Sequence, residues 1–214
     1  MTSNRITLAA ALFSAVAAMS ATNASATLIT GVTATTNMGS DFGTDIANAV
    51  NGVGLSAISL NATHDEVTPA NSWVSQQVTT GQVTFNLNGS YTLAGFSFWN
   101  QNAGGPDISG ATGLRDVQVS TSINGSTFSN WFNHSFTKVE TGDMSLVEMV
   151  SGTAVNANYV RFNILSNWGD VNQSAFAEVQ FDSGTAPIPE PETYAMMLAG
   201  LGVLGLVARR RKSL

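Results

Sequence analysis

Along the middle of this chain, short apolar runs alternate with polar residues at a period of two. In Gln82-Val83-Thr84-Phe85-Asn86-Leu87-Asn88, the residues Val83, Phe85 and Leu87 share one face. Strict alternation of this kind marks a strand with one buried side. Tyr91 to Trp99, Asp116 to Ser120, Tyr159 to Ile164 and Phe176 to Phe181 give further strand regions. Asn88-Gly89 and Asn124-Gly125 are hairpin turn signals between such runs. Only Ser40 to Val50 hints at a helix, and it is short. Asn51 to Asn71 is polar and poorly patterned, which predicts a surface loop. Many short strands broken by turns predict an all-β fold, a β-sandwich.

The pattern changes at both ends. Arg5 precedes an apolar run from Ile6 to Met19, and Ala24-Ser25-Ala26 closes it. That order predicts a secretory signal peptide over 1–26, with Ala24 and Ala26 as the cleavage pattern. At the other end, Tyr194 to Ala208 carries no charge, and Arg209, Arg210, Arg211 and Lys212 follow. As a helix this stretch would cover roughly 22 Å, short for a hydrocarbon core about 30 Å thick. It predicts a transmembrane helix over 194–208, with the basic end 209–212 held in the cytoplasm. Thr185 to Pro191 reads as a linker. The expected organisation is therefore 1–26 signal, 27–184 domain, and 185–214 linker and anchor. Gly200 to Gly205 matches G-x-G-x-x-G by chance, because no strand precedes it and no acid follows at the required distance. No nucleotide site is expected.

Composition sharpens this division. The whole chain has a net charge of −6. Without its ends, only Arg115, Lys138 and Arg161 face twelve acids, a net charge of −9. Such a domain is a poor match for nucleic acid, whose binding rests on Lys and Arg. With no cysteine in the chain, disulfides, thiolate metal sites and cysteine nucleophiles are excluded. The two histidines, His64 and His134, stand far apart, and neither G-x-S-x-G nor H-E-x-x-H occurs. Asp170 to Ser174 begins like a calcium loop but lacks its glycine and closing glutamate. No enzyme is expected.

Sugar recognition needs an aromatic face together with planar amides or charges on loops. Trp99 with Asn100 and Asn102 is one candidate set. Trp168 with Asn167 and Asp170 is another, and His64 in the long loop could join. Trp99 also reads as a core residue, since it closes an apolar strand. Trp73 is expected in the core, and Trp131 in the core or at its rim.

Two resemblances extend this reading. Pro189-Glu190-Pro191, a short apolar helix and Arg209-Arg210-Arg211 at the C-terminus resemble the PEP-CTERM sorting signal of exported proteins in Gram-negative bacteria. It implies that a membrane protease, an exosortase, acts near Pro189-Glu190-Pro191. The precursor would be anchored in the inner membrane, and the mature protein would reach the cell surface or extracellular matrix.

The second rests on an ordered set of motifs: Ala49-Val50-Asn51-Gly52, Asn71-Ser72-Trp73-Val74-Ser75, Phe98-Trp99-Asn100-Gln101-Asn102, Gly113 to Ser120, Asn158 to Phe162, and Ala177-Glu178-Val179-Gln180-Phe181. The set resembles the discoidin, or coagulation factor 5/8 type C, family over roughly residues 45 to 182. That implies a galactose-binding-like jelly roll and carbohydrate binding. It also implies a structural Ca2+ held by the early loop and a late glutamate, here Asn51, Ala177 and Glu178. Asn51 stands where an aspartate is usual, and fewer charged ligands mean weaker calcium binding. Glu178 reads alternatively as a solvent-facing residue of an edge strand. The expected function is an exported, non-catalytic module binding a polysaccharide of the extracellular matrix or cell envelope. The alternative is a structural matrix or biofilm protein that associates through protein contacts.

Overall fold

The computed structural model describes residues 27–102, 110–140 and 147–184. The expected signal peptide, linker and anchor helix lie outside the described residues. Among the described residues, no helix is long and apolar enough to cross a membrane. Ala26–Ala186 forms one compact unit.

Eight strands build it: β1 (Thr27–Leu28), β2 (Thr33–Thr36), β3 (Trp73–Val74), β4 (Gly81–Asn100), β5 (Asp116–Ser122), β6 (Ser129–Ser135), β7 (Glu148–Ile164) and β8 (Ala175–Ser183). Their order is β1-β8-β4-β7-β5-β6, with β2 added on β4 and β3 on β8. Every strand pairing is antiparallel. The long strands β4 and β7 run side by side and serve both layers. The first half of β4 pairs with β2 and the second half of β7, which continues to β5 and β6. The second half of β4 pairs with the first half of β7 and with β8.

Alternation fills the space between the layers. Val83, Phe85, Leu87, Val117, Val119, Val160, Phe162 and Ile164 are buried from one side. Phe98, Phe176, Val179 and Phe181 are buried from the other. Phenylalanine rings pack edge to face within a layer, with Phe85 5.0 Å from Phe162, and across the layers, with Phe85 5.2 Å from Phe181. Trp73 is fully buried and donates from Nε1 to the Gly39 carbonyl at 2.9 Å. Trp131 lies at the rim, its Nε1 donating to the Thr153 carbonyl at 2.7 Å.

Three local expectations change. Asn88-Gly89 does not end a strand. It forms an irregularity inside β4, with Asn88 at φ 55° and a register shift between Asn86 and Tyr91. The partner strand β7 runs on past it, so the extra residues bulge rather than reverse the chain. The helix hinted at from Ser40 to Val50 shrinks to a 3-10 turn, Ile46–Val50. Asp45 caps that turn by accepting from the Ala47 N–H at 2.9 Å. The loop after Asn51 is not merely superficial. Its Ala62 and Val67 cover Trp99 in a small second apolar cluster with Ala177.

Candidate functional site

Sequence placed one sugar-binding set at the end of β4, and the structure buries it. Trp99 is fully inaccessible, packed against Ala62, Val67 and Ala177. Its Nε1 donates to the Ala62 carbonyl at 2.9 Å. Asn100 fastens two loops, its amide donating to the Leu114 carbonyl at 2.8 Å and the Thr137 carbonyl at 2.9 Å. The Asn100 Oδ1 accepts from Gln101 and Leu114 N–H groups. Asn102 accepts from the Val67 N–H at 3.0 Å and donates to the Asp65 carbonyl at 3.2 Å. His64 is fully buried. Its Nδ1 sits 2.7 Å from the Asp65 carbonyl and must carry the proton there, while Nε2 has no hydrogen-bond partner. Burial pushes the His64 pKa below its ordinary value. These four residues organise the loops from within and offer no face to a ligand. The missed signal is the covering loop, which carries no periodicity.

The second set is half-buried, between two adjacent loops at one end of β5 and β7, and the Trp168 indole N–H is enclosed without a hydrogen-bond partner. Trp168 N–H donates to the Gly113 carbonyl at 3.1 Å, and Arg115 N–H to the Ser166 carbonyl at 3.0 Å. Asn167 builds the second loop: its amide donates to the Asp170 and Gln173 carbonyls, and its Oδ1 accepts from Gly169. Gly169 has φ 121°, a conformation suited to glycine. Asp170 Oδ1 accepts from the Asn172 and Gln173 N–H groups at 2.8 and 2.7 Å. Asn167 and Asp170 therefore shape the loop on which Trp168 stands.

Two residues not foreseen as site members join Trp168. The Arg115 guanidinium lies 5.0 Å from the Trp168 ring centroid, a cation–π contact. The Arg115 side chain is half exposed and 3.7 Å from Asp116. Asp116 accepts from the Ser135 and Ser166 hydroxyls, each at 2.6 Å. Those two donors, with a smaller contribution from Arg115, hold its carboxyl below the ordinary range. Sequence offered one hint, since Arg115 is one of only three cations in the domain. An aromatic ring, a guanidinium and the Asp116 carboxylate meet here, beside the loop that Asp170 shapes. Such a group can hold a polar ring by stacking and hydrogen bonding, but it shows no proton shuttle.

The residues implied for a cation lie elsewhere. Glu178 is fully buried on β8, opposite Trp99 of β4. β1 and β3 pair with β8 only near its two ends, so it is burial, and not a neighbouring strand, that keeps Glu178 from facing solvent. Its Oε1 accepts from the Gly52 N–H at 3.1 Å and the Gln180 amide at 2.6 Å. Its Oε2 is buried with no hydrogen-bond partner. Desolvation raises the Glu178 pKa to about 8, opposed by the Gln180 and Gly52 donors. The register shifts beside it, leaving Ala177 as an extra residue in β8. Asn51 sits at the end of the 3-10 turn, its Oδ1 accepting from the Val53 N–H at 2.8 Å. A carboxylate oxygen, a strand carbonyl and an amide oxygen are donor types that a hard cation takes, but the Asn51 Oδ1 is already bound by the Val53 N–H. Only one of the three carries charge. Among the described residues, no three His, Cys, Asp or Glu side chains gather as a metal cluster.

A hollow beside this region is lined by Ile29, Val32, Val50, Asn51, Ile58 and Gln180. None of the Trp168 group lines it. Ala24, Ala26, Pro189, Glu190, Pro191, Arg209, Arg210 and Arg211 lie outside the described residues.

Comparison with known proteins adds two findings. Residues 187–212 match the model of the PEP-CTERM protein-sorting motif. The fold matches solved carbohydrate-binding modules of family 32 from Clostridium perfringens. One is the module of NanJ in complex with galactose: TM-score 0.53, 13% identity, covering 74% of this chain and 99% of that one. A second and a third belong to a family 31 glycoside hydrolase. Their TM-scores are 0.53 and 0.52, with 12% and 19% identity; they cover 72% and 75% of this chain and 96% and 95% of their own. No curated protein matches the chain. The described domain thus has the fold of a family 32 carbohydrate-binding module, an all-β antiparallel jelly roll, and the chain carries a sorting motif at its C-terminus.

Proposed function

We propose that this is an exported, non-catalytic module that binds glycans of the extracellular matrix or cell envelope. The observation that carries the reading is the whole-module superposition on family 32 carbohydrate-binding modules, joined in one chain to a PEP-CTERM motif. The galactose in the NanJ complex supports a sugar as the ligand class. We place the sugar at Trp168, Arg115 and Asp170: the indole supplies the apolar face, and the guanidinium and carboxylate bind hydroxyls.

The sorting segment completes the reading. The 194–208 helix would hold the precursor in the inner membrane of a Gram-negative bacterium. An exosortase would act near Pro189-Glu190-Pro191, delivering the domain to the cell surface or matrix. A structural Ca2+ would sit on Glu178 Oε2, the Ala177 carbonyl and Asn51, tying the early loop to β8.

The second reading, a structural matrix or biofilm protein, gains support from the burial of Trp99, Asn100, Asn102 and His64. Four of the seven expected sugar-binding residues are thereby internal. A glycan array with the full-length chain separates the two readings. Binding that drops several-fold in Trp168→Ala and in Arg115→Ala supports the module. Concentration-dependent assembly with no glycan bound above background supports the structural protein.

A further inference from the structure

A second surface stands out once the strand registers are followed across the sheet. Gln82, Asn163, Gln118 and Asn133 are register partners on β4, β7, β5 and β6. They form a row of four amides on the side away from the core, since Val83, Phe162 and Val119 point inward. The next row is Thr35, Thr84 and Arg161, ending at Ser120, which is buried and serves only to hold Asn163. The rows are cross-linked rather than loose. Asn163 Nδ2 lies 3.2 Å from Gln118 Oε1 and 3.3 Å from the Ser120 hydroxyl. Arg161 is held from two directions: its guanidinium lies 3.6 Å over the Phe128 ring, and its Nε donates to Thr84 Oγ1 at 3.0 Å.

The charge pattern of this face is unusual for the molecule. The domain has four acids for every cation, yet no acid lies in these two rows. Asp116 stands only at the margin, bound by Ser135 and Ser166. Among the described residues, no carboxylate comes within ion-pair distance of Arg161. A solvated sheet face needs only charge or polarity. Aligned amides and hydroxyls around one fixed, unpaired guanidinium are a more specific arrangement.

We propose that this face binds an extended anionic polysaccharide, a polyuronate chain, lying across β4, β7, β5 and β6. Amide and hydroxyl groups both donate and accept, as sugar hydroxyls require. The guanidinium of Arg161 takes a uronate carboxylate through its paired N–H groups. Strands about 4.8 Å apart make the four-strand row roughly 14 Å wide, which suits an oligomer rather than a single sugar. The proposal extends the glycan reading to a second surface and does not depend on the Trp168 loops.

Polygalacturonate and its methyl ester are the probes, since they differ in charge but not in backbone. Affinity electrophoresis of the full-length chain reads the binding. The wild type should bind polygalacturonate and not the ester. Arg161→Gln should weaken that binding roughly tenfold or more, the scale of a lost charged hydrogen bond. Trp168→Ala should leave it unchanged. Arg161→Lys, which keeps the charge but loses the fork, should fall between, and it serves if Arg161→Gln folds poorly. Equal binding of the ester, or full binding by Arg161→Gln, overturns the proposal. So does loss of binding through Trp168→Ala alone, or concentration-dependent dimerisation abolished by Arg161→Gln. Polygalacturonate binding that survives while Trp168→Ala changes nothing on a glycan array would reject the loop site and keep this one.

Discussion

At the scale of single residues, Glu178 is the group with the most to lose. It is buried, its Oε2 has no partner, and its pKa rises from an ordinary 4.5 to about 8. The folded state therefore holds a proton that the unfolded chain releases between these values. Where the folded state binds more protons, stability falls as pH rises. The contribution is fully present below pH 4.5 and is lost through pH 8, by an amount on the order of 5 kcal/mol. A cation would compete with that proton, because it needs the ionised carboxylate. Thermal melts of the wild type should thus fall from pH 5 to pH 8 without calcium. Added calcium should restore stability more at pH 8 than at pH 5. Glu178→Gln should flatten the pH dependence and abolish the calcium response. A chelator-insensitive melt at pH 8 would remove the cation from this site. A melt that falls equally in Glu178→Gln would remove the proton.

At the scale of elements, β4 and β7 run through both layers, and at Gly95 there is no room between them for a side chain. The register shifts between Leu93 and Gly95, and a Cβ at Gly95 would run into the Val150 carbonyl oxygen of β7. Backbone cannot step aside as a flexible side chain does. Gly95→Ala should therefore cost about 1–3 kcal/mol or more, read as a lower urea midpoint. An unchanged midpoint would mean that the two strands separate there at little cost. Strand phase was legible in the sequence because each strand has one buried side: Val83-Phe85-Leu87 and Val160-Phe162-Ile164 alternate for that reason. The Trp99 environment was not legible. The second half of β4 is covered on its outer side by an aperiodic loop, whose Ala62 and Val67 turn a candidate sugar platform into a core residue. Asn100 and Asn102 follow the same logic, since an amide that staples loops and one that binds sugar look alike in a sequence. The sequence around Trp168 points to a loop, but Arg115 and Asp116 come to it only through the pairing of the 113–116 and 165–170 segments.

At the scale of the whole molecule, folding and addressing use different parts of the chain. Every buried core residue described lies between Ile29 and Phe181. The sorting motif occupies 187–212. Removing Pro187–Leu214 should therefore leave the melting temperature within about 2 °C of the full-length chain, under 1 kcal/mol for a domain of this size. A larger drop would show that the tail stabilises the fold. Delivery should respond in the opposite way. Proline on each side of Glu190 disfavours a helix, so this element would suit binding as a strand by the proposed exosortase. Replacing Pro189 and Pro191 by alanine should leave the domain folded and trap the precursor with the inner membrane. Fractionation and mass measurement would read that. Normal release of a cleaved domain from the variant would show that the protease recognises something other than this element.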